Sequence, residues 1–111
     1  MLPWTPGFAM ALASIDAPVT IAAPRRLVSE TRVQFRAITL DRLAGLAAEG
    51  APAIEIDLAQ TTEVDASGLG MLVLIQKRAK DAGVATRLVH ANDQLRALLA
   101  LTRLDSLFEL H

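Results

Sequence analysis

Residues 53–90 read AIEIDLAQTTEVDASGLGMLVLIQKRAKDAGVATRLVH, and the change of period inside this stretch limits the fold more than any other feature. Ile54, Ile56 and Leu58 alternate with Glu55 and Asp57, so Ala53–Leu58 is a strand with one apolar face. A loop follows from Ala59 to Val64. From Ser67 the pattern is apolar almost all round until Gln76, and then turns basic through Ala82. That is a helix with a buried front half, and Lys77, Arg78 and Lys80 complement the negative end of its dipole as a mainly solvated face. Gly83 ends it, and Val84–His90 reads as a strand again. Strand, helix and strand in this order predict an α/β domain with a mostly parallel or mixed sheet.

The flanking segments extend the alternation. Val19–Ala23, VTIAA, lies between Pro18 and Pro24 and reads as a strand, and Arg25–Val28 as a second, shorter extended piece. Between Ser29, a candidate N-cap, and Gly50, a candidate C′ residue, Phe35, Ile38, Leu43 and Leu46 give a helical apolar face, although RVQF also fits a strand. Asn92 or Asp93 caps a last helix with Leu95, Leu98 and Leu99 on its apolar face, and the tail DSLFEL packs along the domain. The 111 residues suffice for one core. Aromatics are 4%, so aliphatic side chains must fill it, Met71 among them.

We read residues 1–14 as a flexible leader and 15–111 as the domain. Pro3, Pro6 and Gly7 keep the leader irregular, and Trp4 either docks on its own domain or anchors a partner. A basic n-region is missing and the apolar run Phe8–Ala13 is short, which argues against a signal peptide. No stretch reaches the roughly 20 apolar residues of a membrane span.

Several function classes are disfavoured. A net charge of −1 does not suit a nucleic-acid surface. Without cysteine there is no disulfide, thiolate metal site or cysteine nucleophile, which suits a cytoplasmic protein. Serine catalysis needs a base. The two histidines are His90, read as a partly exposed strand-end residue, and His111. DASGLG is not a nucleophile elbow, and neither a phosphate-binding loop nor a full dinucleotide fingerprint occurs. Asp57, Glu63 and Asp65 lack helper ligands for a cation. The reading is a non-enzyme with no cofactor and no metal.

VDASGLG sits where a strand's C-terminal side meets a helix start, the usual place for a site in such sheets. Glycine costs about 0.8–1 kcal/mol against alanine in a helix interior, so Gly68 and Gly70 need a reason. In one account Asp65 N-caps the helix, Ser67 is an ordinary first-turn residue, and the glycines allow close packing on a strand. In the other they keep the surface low, so that another molecule reaches the Ser67 hydroxyl, placed where a helix N-terminus favours phosphate.

The segment from Ala53 to about Leu110 resembles the STAS domain. The resemblance is carried by the strand ending in Asp57-Leu58, the Asp-x-Ser-Gly-Leu-Gly element at 65–70, the helix ending in basic residues and Gly83, and LLALTRLDSLFEL. It implies a four- or five-stranded mixed sheet flanked by about four helices. The antagonist branch of the family implies an anti-sigma factor antagonist phosphorylated at Ser67 by an anti-sigma factor serine kinase, its binding partner, with a serine phosphatase resetting the cycle. Asp65, Ala66, Ser67, Gly68, Leu69 and Gly70 would then meet the partner. Two alternatives are a STAS scaffold or sensor in a signalling assembly, and a STAS subunit docking on the ATPase of a membrane transport complex. PRRLVSETRVQF lacks the family's usual turn glycine, which implies a shortened second strand. No basic residue accompanies Ser67 in its own segment, so phosphate there is expected to act on a partner by repulsion.

Overall fold

A computed structural model describes residues 19–110; the leader, and with it Trp4, lies outside the described residues. The elements in chain order are β1 (Val19–Ala22), β2 (Arg26–Leu27), α1 (Arg32–Glu49), β3 (Ala53–Asp57), β4 (Glu63–Val64), α2 (Ala66–Asp81), β5 (Ala85–Val89), α3 (Asp93–Leu101), a 3-10 turn (Asp105–Leu107) and β6 (Glu109–Leu110). The α/β domain is as expected. Its main sheet has four strands in the order β1-β3-β5-β6, and β2 and β4 form a separate pair. Every pairing among the described residues is parallel, so the antiparallel component of a mixed sheet is not seen there.

β3 is central because its alternation gives it a face to bury. Ala53, Ile54 and Ile56 are fully buried and Leu58 nearly so. Glu55 and Asp57 look the other way and are half-buried. The register aligns Thr20, Glu55, Arg87 and Glu109 in one row across all four strands. Thr20 donates to Glu55 at 3.1 Å, and Arg87 pairs with Glu109 at 3.5 Å. The apolar side joins Leu43 and Leu46 of α1, Leu72 and Ile75 of α2, Leu95 and Leu99 of α3, and Phe108 into one core.

α1 departs from its expected face. Phe35, Leu43 and Leu46 are buried, but Ile38 is 53% exposed and Thr39 is fully buried in its place. At about 100° per residue, Phe35, Thr39, Leu43 and Leu46 fall within one narrow arc. Ile38 lies roughly 95° from its centre. The helix includes RVQF, which settles the strand-or-helix choice at that point. Ser29 is not its cap. Thr31 occupies that position without a side-chain bond to the helix, its hydroxyl serving the turn before it. Gly50 closes α1 in the left-handed region at φ 72°, and Gly83 follows α2 at φ 77°, a conformation glycine adopts without strain. The second strand is only two residues long, and α1 packs directly against α2.

Candidate functional site

Asp65 organises the site. Its backbone is extended, and its Oδ1 accepts the Gly68 amide at 2.8 Å, an N-cap that satisfies one of the orphan donors of α2. Its Oδ2 accepts the Ser29 amide at 3.2 Å, from the loop that leads into α1. Its own N–H donates to the Leu27 carbonyl at 3.3 Å. The Gly68 bond chiefly, then those of Ser29 and Ser67 and the charge of Arg32, hold the carboxyl below the usual aspartate range. One side chain therefore ties together the starts of two helices.

The two glycines have separate explanations. A Cβ on Gly68 would stand 2.0 Å from the Leu27 carbonyl oxygen and 2.9 Å from its carbon. Both are backbone atoms of β2, so only glycine lets α2 approach so closely. Gly68 is buried, and it supports the surface from behind. A Cβ on Gly70 would meet nothing within 4 Å. Gly70 is exposed and leaves open ground beside Ser67. Leu69 is half-buried and packs on the core, while Ala66 is exposed.

Ser67 is the second residue of α2 and is half-buried. It opens onto a groove of about 490 Å³ between α1 and α2. Arg32, Val33 and Arg36 line one wall, and Ala66, Ser67, Gly70, Met71 and Leu74 the other. The serine thus has two basic neighbours, which corrects the picture from its own segment. They stand more than thirty positions earlier in the chain, where no local pattern links them to Ser67. Met71 is 5% exposed and belongs to the core as expected, with its edge at the groove floor.

The other carboxylates do not converge here. Asp57 and His90, at the ends of β3 and β5, pair at 3.1 Å. The Ala59 amide first, and His90 second, keep the Asp57 carboxyl below its ordinary range. His90 is exposed as expected, and its φ of 62° turns the chain toward α3. Glu63 pairs with Arg26 across the β2–β4 register, and that carboxylate raises the Arg26 guanidinium. No cluster of three potential metal ligands exists among the described residues. A second hollow of about 340 Å³ lies between the β4 region and α3. Its polar groups already have structural work: Asn92 caps α3, and Thr61 bonds to the Pro24 carbonyl.

A family model described as "Mlab, STAS domain" matches residues 10–109. The chain belongs to the STAS domain family. Two solved structures share the STAS fold with it. One is the crystal structure of a Thermotoga maritima protein, TM1081, provisionally described as an anti-sigma factor antagonist. It has 24% identity and a TM-score of 0.70, and the match covers 86% of this chain and 80% of that one. The other is the NMR structure of the protein TM1081, with 24% identity and a TM-score of 0.70 over 83% and 71% of the two chains. No curated sequence gives a significant match. Among the described residues, no helix of this STAS domain is long and apolar enough to cross a membrane.

Proposed function

We propose that this STAS domain is an anti-sigma factor antagonist, a cytoplasmic non-enzyme that binds an anti-sigma factor serine kinase and is switched by phosphorylation at Ser67. The observation that carries the reading is the place of Ser67: half-buried on the wall of a groove, at a helix start, beside a glycine that leaves the approach open. Asp65, Ala66, Ser67, Leu69 and Gly70 form the partner surface, and Gly68 sets its height. Arg32 and Arg36 extend that surface onto α1 and suit an acidic partner segment. A serine phosphatase returns the domain to its binding state.

The test is phosphate incorporation and its consequence. Kinase captured on the immobilised domain should label Ser67 stoichiometrically when ATP is added, and then release it. Ser67→Ala should still capture the kinase but hold it in ATP, and Ser67→Asp should fold yet bind weakly by calorimetry. Tight binding by Ser67→Asp, or label elsewhere than Ser67, removes this reading.

One observation favours a second reading, the STAS subunit that docks on a transport ATPase. Val33 is 67% exposed on the wall of the same groove, and Ile38 is exposed on the same helix. A permanent interface would cover such side chains. Capture of an ATPase that ATP neither labels nor releases would select that reading. The domain itself should hydrolyse no nucleotide in either case.

A further inference from the structure

We propose that Arg32 and Arg36 clamp the phosphoryl group of Ser67, so that the domain itself neutralises the charge that modification adds. The inference rests on the phosphorylation reading above. Both arginines and Ser67 line one groove, from opposite walls. Arg32 and Arg36 are four residues apart on α1, so their side chains project from one side of that helix. Both are exposed, and neither has an ion-pair partner among the described residues. Arg32 is the first residue of α1, and no acidic residue shares its first turn. A cation there opposes the helix dipole, a placement that an anion in the groove would offset.

The neighbouring charges leave the arginines as the available partners. Asp65 is the carboxylate of the same motif; its two oxygens are engaged by Gly68 and Ser29, and the charge of Arg32 acts on it without forming an ion pair. Arg26 is held by Glu63. Glu30 lies in the loop before α1 and acts on Arg26. In the transfer, Ser67 Oγ bonds to the γ-phosphorus of a nucleoside triphosphate and the bridging P–O bond to the diphosphate breaks. The hydroxyl proton passes to a base on the kinase. The product carries about −1.5 to −2 charges and three acceptor oxygens, and guanidinium groups bind such oxygens in pairs. Open space at Gly70 leaves room for it. Arginines that served an acidic partner segment are then occupied by the domain's own phosphate. The partner is released by exchange of one anion for another, rather than by repulsion alone.

The experiment places phosphoserine at position 67 during translation, so that no kinase is needed. Its second ionisation is followed by phosphorus NMR against the phosphorylated peptide of residues 61–72. In the peptide it should titrate near the ordinary value of about 6. In the folded domain it should titrate at least about half a pH unit lower, because nearby cations favour the dianion. Arg32→Gln and Arg36→Gln should each raise the midpoint, and the double variant should raise it furthest, leaving only the N-terminus of α2 to offset the repulsion of Asp65. Arg32→Lys and Arg36→Lys should give intermediate midpoints. Arg42→Gln, on the same helix but off the groove, should not move it. A midpoint equal to that of the peptide, or one that the Arg32 and Arg36 variants leave in place, overturns the clamp. A lowered midpoint without kinase labelling would keep the clamp and sink the kinase reading; labelling with an unshifted midpoint would do the reverse.

Discussion

Gly68 and Asp65 show how much single residues of the motif differ in task. Gly68→Ala must push a methyl group into the Leu27 carbonyl. Forced overpacking of this kind costs about 1–3 kcal/mol and occasionally more. With backbone as the obstacle, we expect a loss near ~3 kcal/mol in urea denaturation; a loss below ~1 kcal/mol would mean that α2 shifts freely. Asp65 predicts a pH dependence. Its folded pKa lies below the ordinary aspartate value of about 3.9. The stability it contributes is therefore present above that value and is lost as pH falls through the folded pKa. Asp65→Asn should lower the melting temperature at neutral pH and flatten the acid limb of the melting curve below about pH 4. An acid limb of unchanged slope would show that the carboxylate's charge is not used.

At the scale of elements, α2 combines an end built for contact with an end built for solvent. Gly70→Ala adds a methyl group in open space and should raise stability by about 0.5–1 kcal/mol. Partner affinity should fall in calorimetry, and unchanged affinity with higher stability would remove Gly70 from the interface. Lys77, Arg78 and Lys80 are exposed. Reversing Lys77 and Lys80 to glutamate should move stability by no more than about 1 kcal/mol, and should leave the association rate and its salt dependence alone if this face is only solvated. The same elements show what a sequence reveals. The alternation AIEIDL and the caps at Asp65 and Asn92 are local patterns, and each led to the observed element. The face of α1 was less legible, because a buried threonine completes its stripe while an isoleucine stays outside. The extended piece at Arg25–Val28 and the close packing of a motif glycine on a strand were legible, but two-residue strands have no period, so β4, its pairing with β2 and the choice of Gly68 over Gly70 for that packing were not. The neighbourhood of Arg32, Arg36 and Ser67 is a product of α1–α2 packing alone.

As a whole, the molecule is a parallel sheet whose last strand is only two residues long yet closes the core. Phe108 precedes β6 and is 7% exposed within the main apolar cluster. Phe108→Ala should cost about 3 kcal/mol or more and detach β6 from β5, read as a lower urea midpoint and loss of the Arg87–Glu109 cross-strand contact. A midpoint shift equivalent to less than about 1 kcal/mol would show the tail to be an ornament on a core complete without it.

The bond from the Ser29 amide to Asp65 has a further use. Ser29 lies in an exposed loop outside any helix or strand, where an amide would ordinarily trade its proton for deuterium at once. Held by the carboxylate of the motif, it should exchange slowly, so the rate at this single loop position becomes a remote gauge of whether the start of α2 is intact. In Asp65→Ala the gauge should read open, and in a partner complex that leaves Asp65 in place it should read closed.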